Sequence, residues 1–219
     1  MDFKKIKERL NKLDAACIFD SNKNLRVMDP GLHPVNQGIR MIGIAHTVHC
    51  KGDFLTVMKA LYDAKEDEVL VIDGEGDRIA LAGELFTAEA QRKKLAGIVI
   101  DGGCRDVKQI RKTNFPVFAR YITPKVGTSS KIFNTQIKIN CGGVSVSPGD
   151  ILFGDDDGII VMSGKECAEI LEISEGIQEK EEKVTMRLKD GESLIDLLNF
   201  SEHYAKISEN QESKLIFTV

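Results

Sequence analysis

One stretch constrains the fold more than any other. The apolar run Leu95-Ala96-Gly97-Ile98-Val99-Ile100, rich in β-branched residues, is followed at once by Asp101-Gly102-Gly103-Cys104-Arg105-Asp106. Ahead of it Leu85, Phe86, Ala90 and Leu95 recur at roughly helical spacing, so a helix runs into a buried strand. That order belongs to α/β architectures, in which chemistry gathers at the carboxyl ends of strands. Asp101-Gly102-Gly103 reads as the turn that closes the strand, because glycine tolerates positive φ. Arg105 and Asp106 then emerge at a strand end.

Upstream, Gly83 would let the backbone approach a ligand closely, and Glu84-Leu85-Phe86 would open a helix whose free N–H groups face an anion. A carboxylate held there could also meet the Arg105 fork, while Asp106 offers a hard oxygen ligand for Mg²⁺. Without further signals, the Arg-Asp pair reads equally as a surface ion pair with Asp106 as an N-cap.

The remaining chain alternates in the same way. Residues 3–13 read as an amphipathic helix, and the stretch to about Gly38, holding Pro30, Gly31 and Pro34, reads mostly as loop. A strand at 40–49 follows, then a helix at Phe54, Val57, Met58 and Leu61 that Asp53 could cap, and a strand at 68–72. Residues 107–112 look helical and 116–119 extended. After Gly127 the pattern becomes β-rich, at Ile132, 136–139, 143–146, 151–153 and 159–162. Residues 165–188 form a long charged helix pattern whose apolar side is Ala168, Ile170, Leu171, Ile173, Ile177, Val184 and Leu188. Its many glutamates read most simply as a solvated face.

Composition narrows the function classes. A chain of 219 residues can bury a substantial core as one domain, here about 13–198 with a C-terminal tail at 199–219. The net charge of −4, with basic residues scattered among acidic ones, gives no footprint for a phosphate backbone and argues against direct nucleic-acid binding. The N-terminus lacks the continuous apolar core of a signal peptide, and no stretch is long and apolar enough to span a bilayer. Five dispersed cysteines without CxxC spacing indicate neither a disulfide framework nor a zinc site, so a reducing cytoplasm is expected.

Glu84, twenty intervening residues, then Arg105-Asp106 resembles the superfamily of 4-hydroxy-4-methyl-2-oxoglutarate aldolase and the regulator of ribonuclease E activity A. Further matches are Pro30-Gly31, Arg40-Met41-Ile42-Gly43-Ile44-Ala45-His46-Thr47-Val48, Val69-Leu70-Val71-Ile72-Asp73-Gly74, Pro148-Gly149-Asp150 and Gly154-Asp155-Asp156-Asp157-Gly158-Ile159-Ile160-Val161. The resemblance implies a β/β/α layered fold of the phosphohistidine swivelling-domain type, with a helical C-terminal extension. It implies a trimer, or two stacked trimers, with sites at subunit interfaces. It also implies a Mg²⁺- or Mn²⁺-dependent lyase that releases pyruvate from a 4-hydroxy-2-oxo acid, with oxaloacetate decarboxylation as a companion activity. Asp106 would hold the metal and Arg105 the pyruvyl oxygens. Gly83 and the Leu85 and Phe86 amides would grip the substrate carboxylate, and Glu84 would orient a water for proton transfer. Glu181, or alternatively Glu182, would reach a neighbouring subunit's site. Glu84 stands where some aldolases carry a shorter aspartate, which bears on the substrate. A non-catalytic regulator that binds a ribonuclease or helicase is the alternative; regulators of this superfamily have lost the metal-binding aspartate that this chain retains.

Other features read as structural. Asp73-Gly74-Glu75-Gly76 echoes a nucleotide or methyl-donor loop, but its glycine series is incomplete, so a turn is expected and a demethylmenaquinone methyltransferase is not. His46 and His49 would point to opposite faces of a strand. Asp155-Asp156-Asp157-Gly158 reads as a tight turn, with acidic solvation of the active-site mouth as a further possibility, and Cys104 as a packing residue. Asp20 matches a family aspartate without an assigned role. Residues 215–219 could be an edge strand or an exchanged arm.

Overall fold

The computed structural model describes residues 2–218. In chain order it contains α1 (Phe3–Leu10), α2 (Ala15–Ser21), β1 (Arg26–Val27), β2 (His33–Pro34), β3 (Met41–His49), α3 (Leu55–Asp63), β4 (Glu68–Asp73) and β5 (Ala80–Ala82). Then come α4 (Glu84–Arg92), β6 (Gly97–Cys104), α5 (Val107–Ile110), β7 (Val117–Ile122), β8 (Ile139–Cys141) and β9 (Val144–Val146). β10 (Ile151–Asp155), β11 (Gly158–Met162), α6 (Gly164–Lys189) and α7 (Phe200–Ser208) complete it.

Nine strands form one sheet in the order β1-β11-β10-β3-β4-β6-β7-β2, with β5 attached to the end of β6. β3, β4, β6 and β7 are mutually parallel, whereas β10 pairs antiparallel with both β3 and β11. Side chains alternate across the sheet, and here both sides are apolar. Leu70, Ile72, Ile98 and Ile100 face Val57, Ala60, Leu61 and Ala90 of α3 and α4. Val69, Val71 and Val99 face Ile139, Cys141 and Val146 of the β8–β9 hairpin. At the other end Ile42, Ile151, Phe153, Ile160 and Met162 pack on α1, α2 and α6 through Ile6, Leu10, Ile18 and Leu171. Hairpin, sheet and helices make the β/β/α layering that the resemblance implies. Each such Leu or Ile, fully buried, contributes about 1.5–3 kcal/mol relative to exposure.

Several local expectations are corrected. The stretch to Gly38 is mostly loop as expected, but it holds an unanticipated helix: Asp14 accepts from the Cys17 amide at 2.8 Å and starts α2, which buries Cys17 and Ile18. Ile132 is 87% exposed and belongs to no strand, and 136–138 are likewise outside β8, which begins at Ile139. α6 runs over nearly the expected span, started by a capping box between Ser163 and Glu166, but Ile173 and Leu188 of its anticipated apolar side lie exposed. The Asp156-Asp157 turn joins β10 to β11 beside Met41, at the amino end of β3, so it lies at the opposite end of the sheet from the strand ends that carry Arg105. Near the C-terminus, Phe217 bridges Leu198 antiparallel, so the tail folds back on its own chain. No helix among the described residues is long and apolar enough to cross a membrane.

The largest correction concerns Asp101-Gly102-Gly103, which is not a turn. β6 continues through Cys104, and neither glycine has a positive φ. β4 ends opposite Asp101, and β5 takes over as the neighbour of β6 at Gly103 and Cys104. The Gly103 amide donates to the Ile79 carbonyl at 3.0 Å. A Cβ on Gly103 would lie 2.7 Å from that oxygen and 2.7 Å from Thr123 Cγ2, so only glycine admits β5 and β7 together. Gly103→Ala is therefore expected to cost about 1–3 kcal/mol, measured by urea unfolding, through this backbone clash. An unchanged midpoint would show that β5 yields freely.

Candidate active site

β5 and β6 end in register, Ala82 beside Cys104, and the Arg105 amide donates to the Ala82 carbonyl at 3.2 Å. The two chains then leave the sheet side by side as Gly83-Glu84 and Arg105-Asp106. Gly83 is extended (φ −162°, ψ −154°) and caps α4. A Cβ there would sit 2.6 Å from Asp106 Oδ2 and 2.8 Å from Arg105 Cγ, so any side chain would push both of these groups out of place. Thr87 locks this end by donating its amide and hydroxyl to the Gly83 carbonyl, both at 3.0 Å.

Asp106 stands at the start of α5 with φ 58°, in the left-handed region that few residues other than glycine adopt. Aspartate tolerates this region better than most side chains, and Asp67, Glu75, Lys94, Gln136 and Asn210 adopt it as well. Its Oδ2 lies 3.2 Å from Arg105 Nε and accepts from the Glu84 amide at 3.4 Å. Its Oδ1 has no partner among the described residues. Arg105 and Asp106 side chains are 41% and 40% exposed, so solvent and solutes reach both.

Gly83, Leu85, Phe86, Arg105 and Asp106 line one cleft of about 50 Å³, walled by Phe54 and Val126. The first-turn amides of Leu85 and Phe86 lack intrahelical acceptors, and both residues line this cleft. Phe54 and Phe86, both lining the cleft, meet edge to face with ring centroids 6.0 Å apart. The cleft thus joins a guanidinium, a helix N-terminus and a carboxylate with a free oxygen. It can take a small anion together with a cation.

Two predicted residues stand apart. The Glu84 side chain lines a neighbouring groove between α4 and α5, with Gln91 and Gln109, while its amide serves Asp106. Glu181 is not in the cleft of its own protomer: it accepts from the Cys17 thiol at 3.2 Å, and together with Asp14 these groups place ligand atoms within 4.8 Å of one another.

The two histidines are structural. His46 is buried with Nδ1 2.9 Å from Glu68 Oε2, and His49 Nε2 lies 3.0 Å from Glu75. Phe54 and Val126 escaped sequence reasoning, since only the fold brings them together. So did Asp101 and Arg120, paired at 2.5 Å beneath a second polar cleft of about 460 Å³ on the β8–β9 side. The Asp101 hydrogen bond holds the Arg120 guanidinium above its ordinary value.

The model for the RraA-like family, described as Aldolase/RraA, matches residues 13–161. The chain belongs to this family. A relative from Halalkalibacterium halodurans, provisionally named a 4-hydroxy-4-methyl-2-oxoglutarate aldolase, is 37% identical over 152 residues, covering 68% of this chain and 72% of its own. The RNA-processing inhibitor RraA from Thermus thermophilis superposes with a TM-score of 0.64 at 26% identity, over 68% of this chain and 92% of that one. An uncharacterised protein from Pseudomonas syringae shares the fold, with a TM-score of 0.79 at 22% identity over 88% of this chain and 96% of that one. The RraA-like family thus holds both aldolase-named and regulator-named members.

Cys104 separates the site's chemistry from a cysteine mechanism. It is fully buried, and burial, reinforced by the Asp106 charge, pushes its thiol up to about 12. Iodoacetamide at pH 8 is expected to leave Cys104 unmodified in the native protein and to label it after unfolding. Because folding favours the neutral thiol, this group's stabilisation is complete below the unfolded value near ~8.5 and falls as pH rises towards 12. Rapid native-state labelling would contradict the packing role.

Proposed function

We propose that this RraA-like protein is a divalent-metal-dependent lyase that cleaves a 4-hydroxy-2-oxo acid to pyruvate, with oxaloacetate decarboxylation as a companion activity. The observation that carries this reading is the shared cleft, in which Asp106 meets Arg105 and the amino end of α4 through Oδ2 and keeps Oδ1 free. A single carboxylate with an open lone pair fits Mg²⁺ or Mn²⁺, which keep several waters and take their remaining oxygens from substrate. Bound there, the ion supplies Lewis-acid polarisation of the 2-oxo acid.

The chain's own groups then have defined tasks. The Leu85 and Phe86 amides and the Gly83 cradle receive the substrate carboxylate at the helix N-terminus. Arg105 binds the pyruvyl oxygens in its fork and stabilises negative charge as the bond next to the pyruvyl methylene breaks. The bonding pair passes to the pyruvyl carbon as an enolate, the substrate hydroxyl gives up its proton, and the enolate takes up a proton to become pyruvate. Glu84 orients water for these transfers once its side chain turns from the α4–α5 groove towards the cleft, and Glu181, or Glu182, completes the site from a neighbouring copy. The exposed apolar rim at Leu85 and Val126 supports a site closed by another subunit, in a trimer or two stacked trimers. A cytoplasmic location accords with the metabolite substrates.

The regulator reading draws on the likeness to the Thermus thermophilis inhibitor. The retained Asp106, open to solvent with one oxygen free beside Arg105, favours an enzyme. Asp106→Ala is expected to lower metal-dependent pyruvate release by at least about 100-fold, with the circular dichroism spectrum unchanged. Full turnover in a purified Asp106→Ala protein would remove Asp106 from the reaction.

A further inference from the structure

Asp53 is fully buried, and it has no cationic partner within salt-bridge reach among the described residues. Its carboxylate instead collects donors from both sides of the cleft wall. Oδ1 accepts from the Leu55 amide at 2.9 Å, in the first turn of α3. Oδ2 accepts from the Thr128 hydroxyl at 2.6 Å, the Ser130 amide at 2.7 Å and the Lys131 amide at 3.1 Å. Burial pushes this carboxyl up, but the four hydrogen bonds outweigh it and hold the group down at about 2.

An ionised group without a countercharge is an expensive way to hold a loop unless its full acceptor capacity is used. Here all four partners are donors, which a neutral amide of the same shape could not satisfy. The gripped loop is the one that walls the cleft. The Lys125 carbonyl accepts from the Ala80 amide at 2.7 Å, the Gly127 amide donates to the Ala80 carbonyl at 3.2 Å, and Val126 is held between these two bonds. The Thr128 amide then donates to the Gly52 carbonyl at 3.0 Å, and the Phe54 amide to the Thr128 carbonyl at 2.8 Å. Asp53, the residue preceding Phe54, therefore joins the segment that follows Val126 to the first turn of α3. Those two side chains face the anion-binding end of α4 across the cleft.

We propose that Asp53 is a positioning residue of the cleft: an anionic clamp that fixes the Val126 wall against Phe54 and so sets how tightly the substrate is held. The proposal rests on the lyase reading for its kinetic consequence, but the clamp itself is testable without turnover. Asp53→Asn keeps the size and places an NH₂ group against donors. Thr128→Val removes one donor and spares the carboxylate.

In the full-length protein, Asp53→Asn is expected to speed native-state exchange of the Ser130 and Lys131 amides by about tenfold or more while the Val71 and Val99 amides of the sheet stay protected. KM for oxaloacetate is expected to rise about tenfold with kcat within about twofold, and Thr128→Val to give a smaller shift of the same kind. Unchanged exchange at Ser130 and Lys131, or faster exchange with KM unmoved, overturns the proposal. Should Asp53→Asn fail to fold, Thr128→Val carries the same two readouts. Should the wild type release no pyruvate, the lyase reading falls. Titration with Mg²⁺ and pyruvate, followed at the Leu85 and Phe86 amides, then replaces KM: weaker binding in the variant supports the clamp, and equal binding overturns it.

Discussion

β6 outlasts β4 and exchanges it for β5, and the rest of the site depends on that exchange. The step is possible because Gly103 leaves room for the Ile79 carbonyl on one side and Thr123 on the other. Once β5 lies parallel to the end of β6, Ala82 and Cys104 finish together. Gly83 and Asp106 are then so close that a side chain on Gly83 would displace the Asp106 carboxylate. The same approach brings the amino end of α4 to that carboxylate. Sheet geometry thus sets the spacing of the charged groups before any of them is chosen for chemistry.

Three carboxylates near the carboxyl ends of the strands are treated differently, and the contrast assigns their roles. Asp101 is buried and divided between the Arg120 guanidinium and the Gly142 amide, a neutralised pair that braces β6 against β7 and the β8–β9 hairpin. Asp53 is buried and saturated by four donors. Asp106 alone of the three is open to solvent, with one oxygen held by Arg105 and the Glu84 amide and the other free. Satisfied carboxylates organise the frame, and the unsatisfied one is available to a ligand.

Much of this was legible in the sequence. The alternation of apolar runs marked β3, β4, β6 and α6 within a few residues, because periodicity is local. Gly83, Leu85, Phe86, Arg105 and Asp106, singled out by sequence, line one cleft, whereas the Glu84 side chain lies in the neighbouring groove. The misreadings share a cause in contacts from far along the chain. Gly102 and Gly103 looked like a turn because glycine's conformational freedom is visible in sequence, whereas its use here, close approach by Ile79 and Thr123, is not. Ile132 looked like part of a strand, but the backbone around it is tied to Asp53 and Thr56 rather than to a sheet. Asp14 ahead of Ala15-Ala16-Cys17-Ile18 was a readable cap signal, obscured by the prolines that follow. Asp53 reads as a helix cap, but Phe54 holds the N-cap position of α3; Asp53 stands one residue before it, accepts from the Leu55 amide with one oxygen, and serves with the other a loop more than seventy residues on, at Thr128, Ser130 and Lys131.

The central claim is that the cleft formed by Gly83, Arg105 and Asp106 releases pyruvate with the help of a divalent metal. The most direct test is pyruvate production from oxaloacetate and from 4-hydroxy-4-methyl-2-oxoglutarate by metal-stripped protein, before and after addition of Mg²⁺ or Mn²⁺ and corrected for turnover by the metal alone. The account predicts negligible release without metal and restored release with it. Equal release with and without metal, or silence on both acids from a folded protein in the presence of metal, would contradict it.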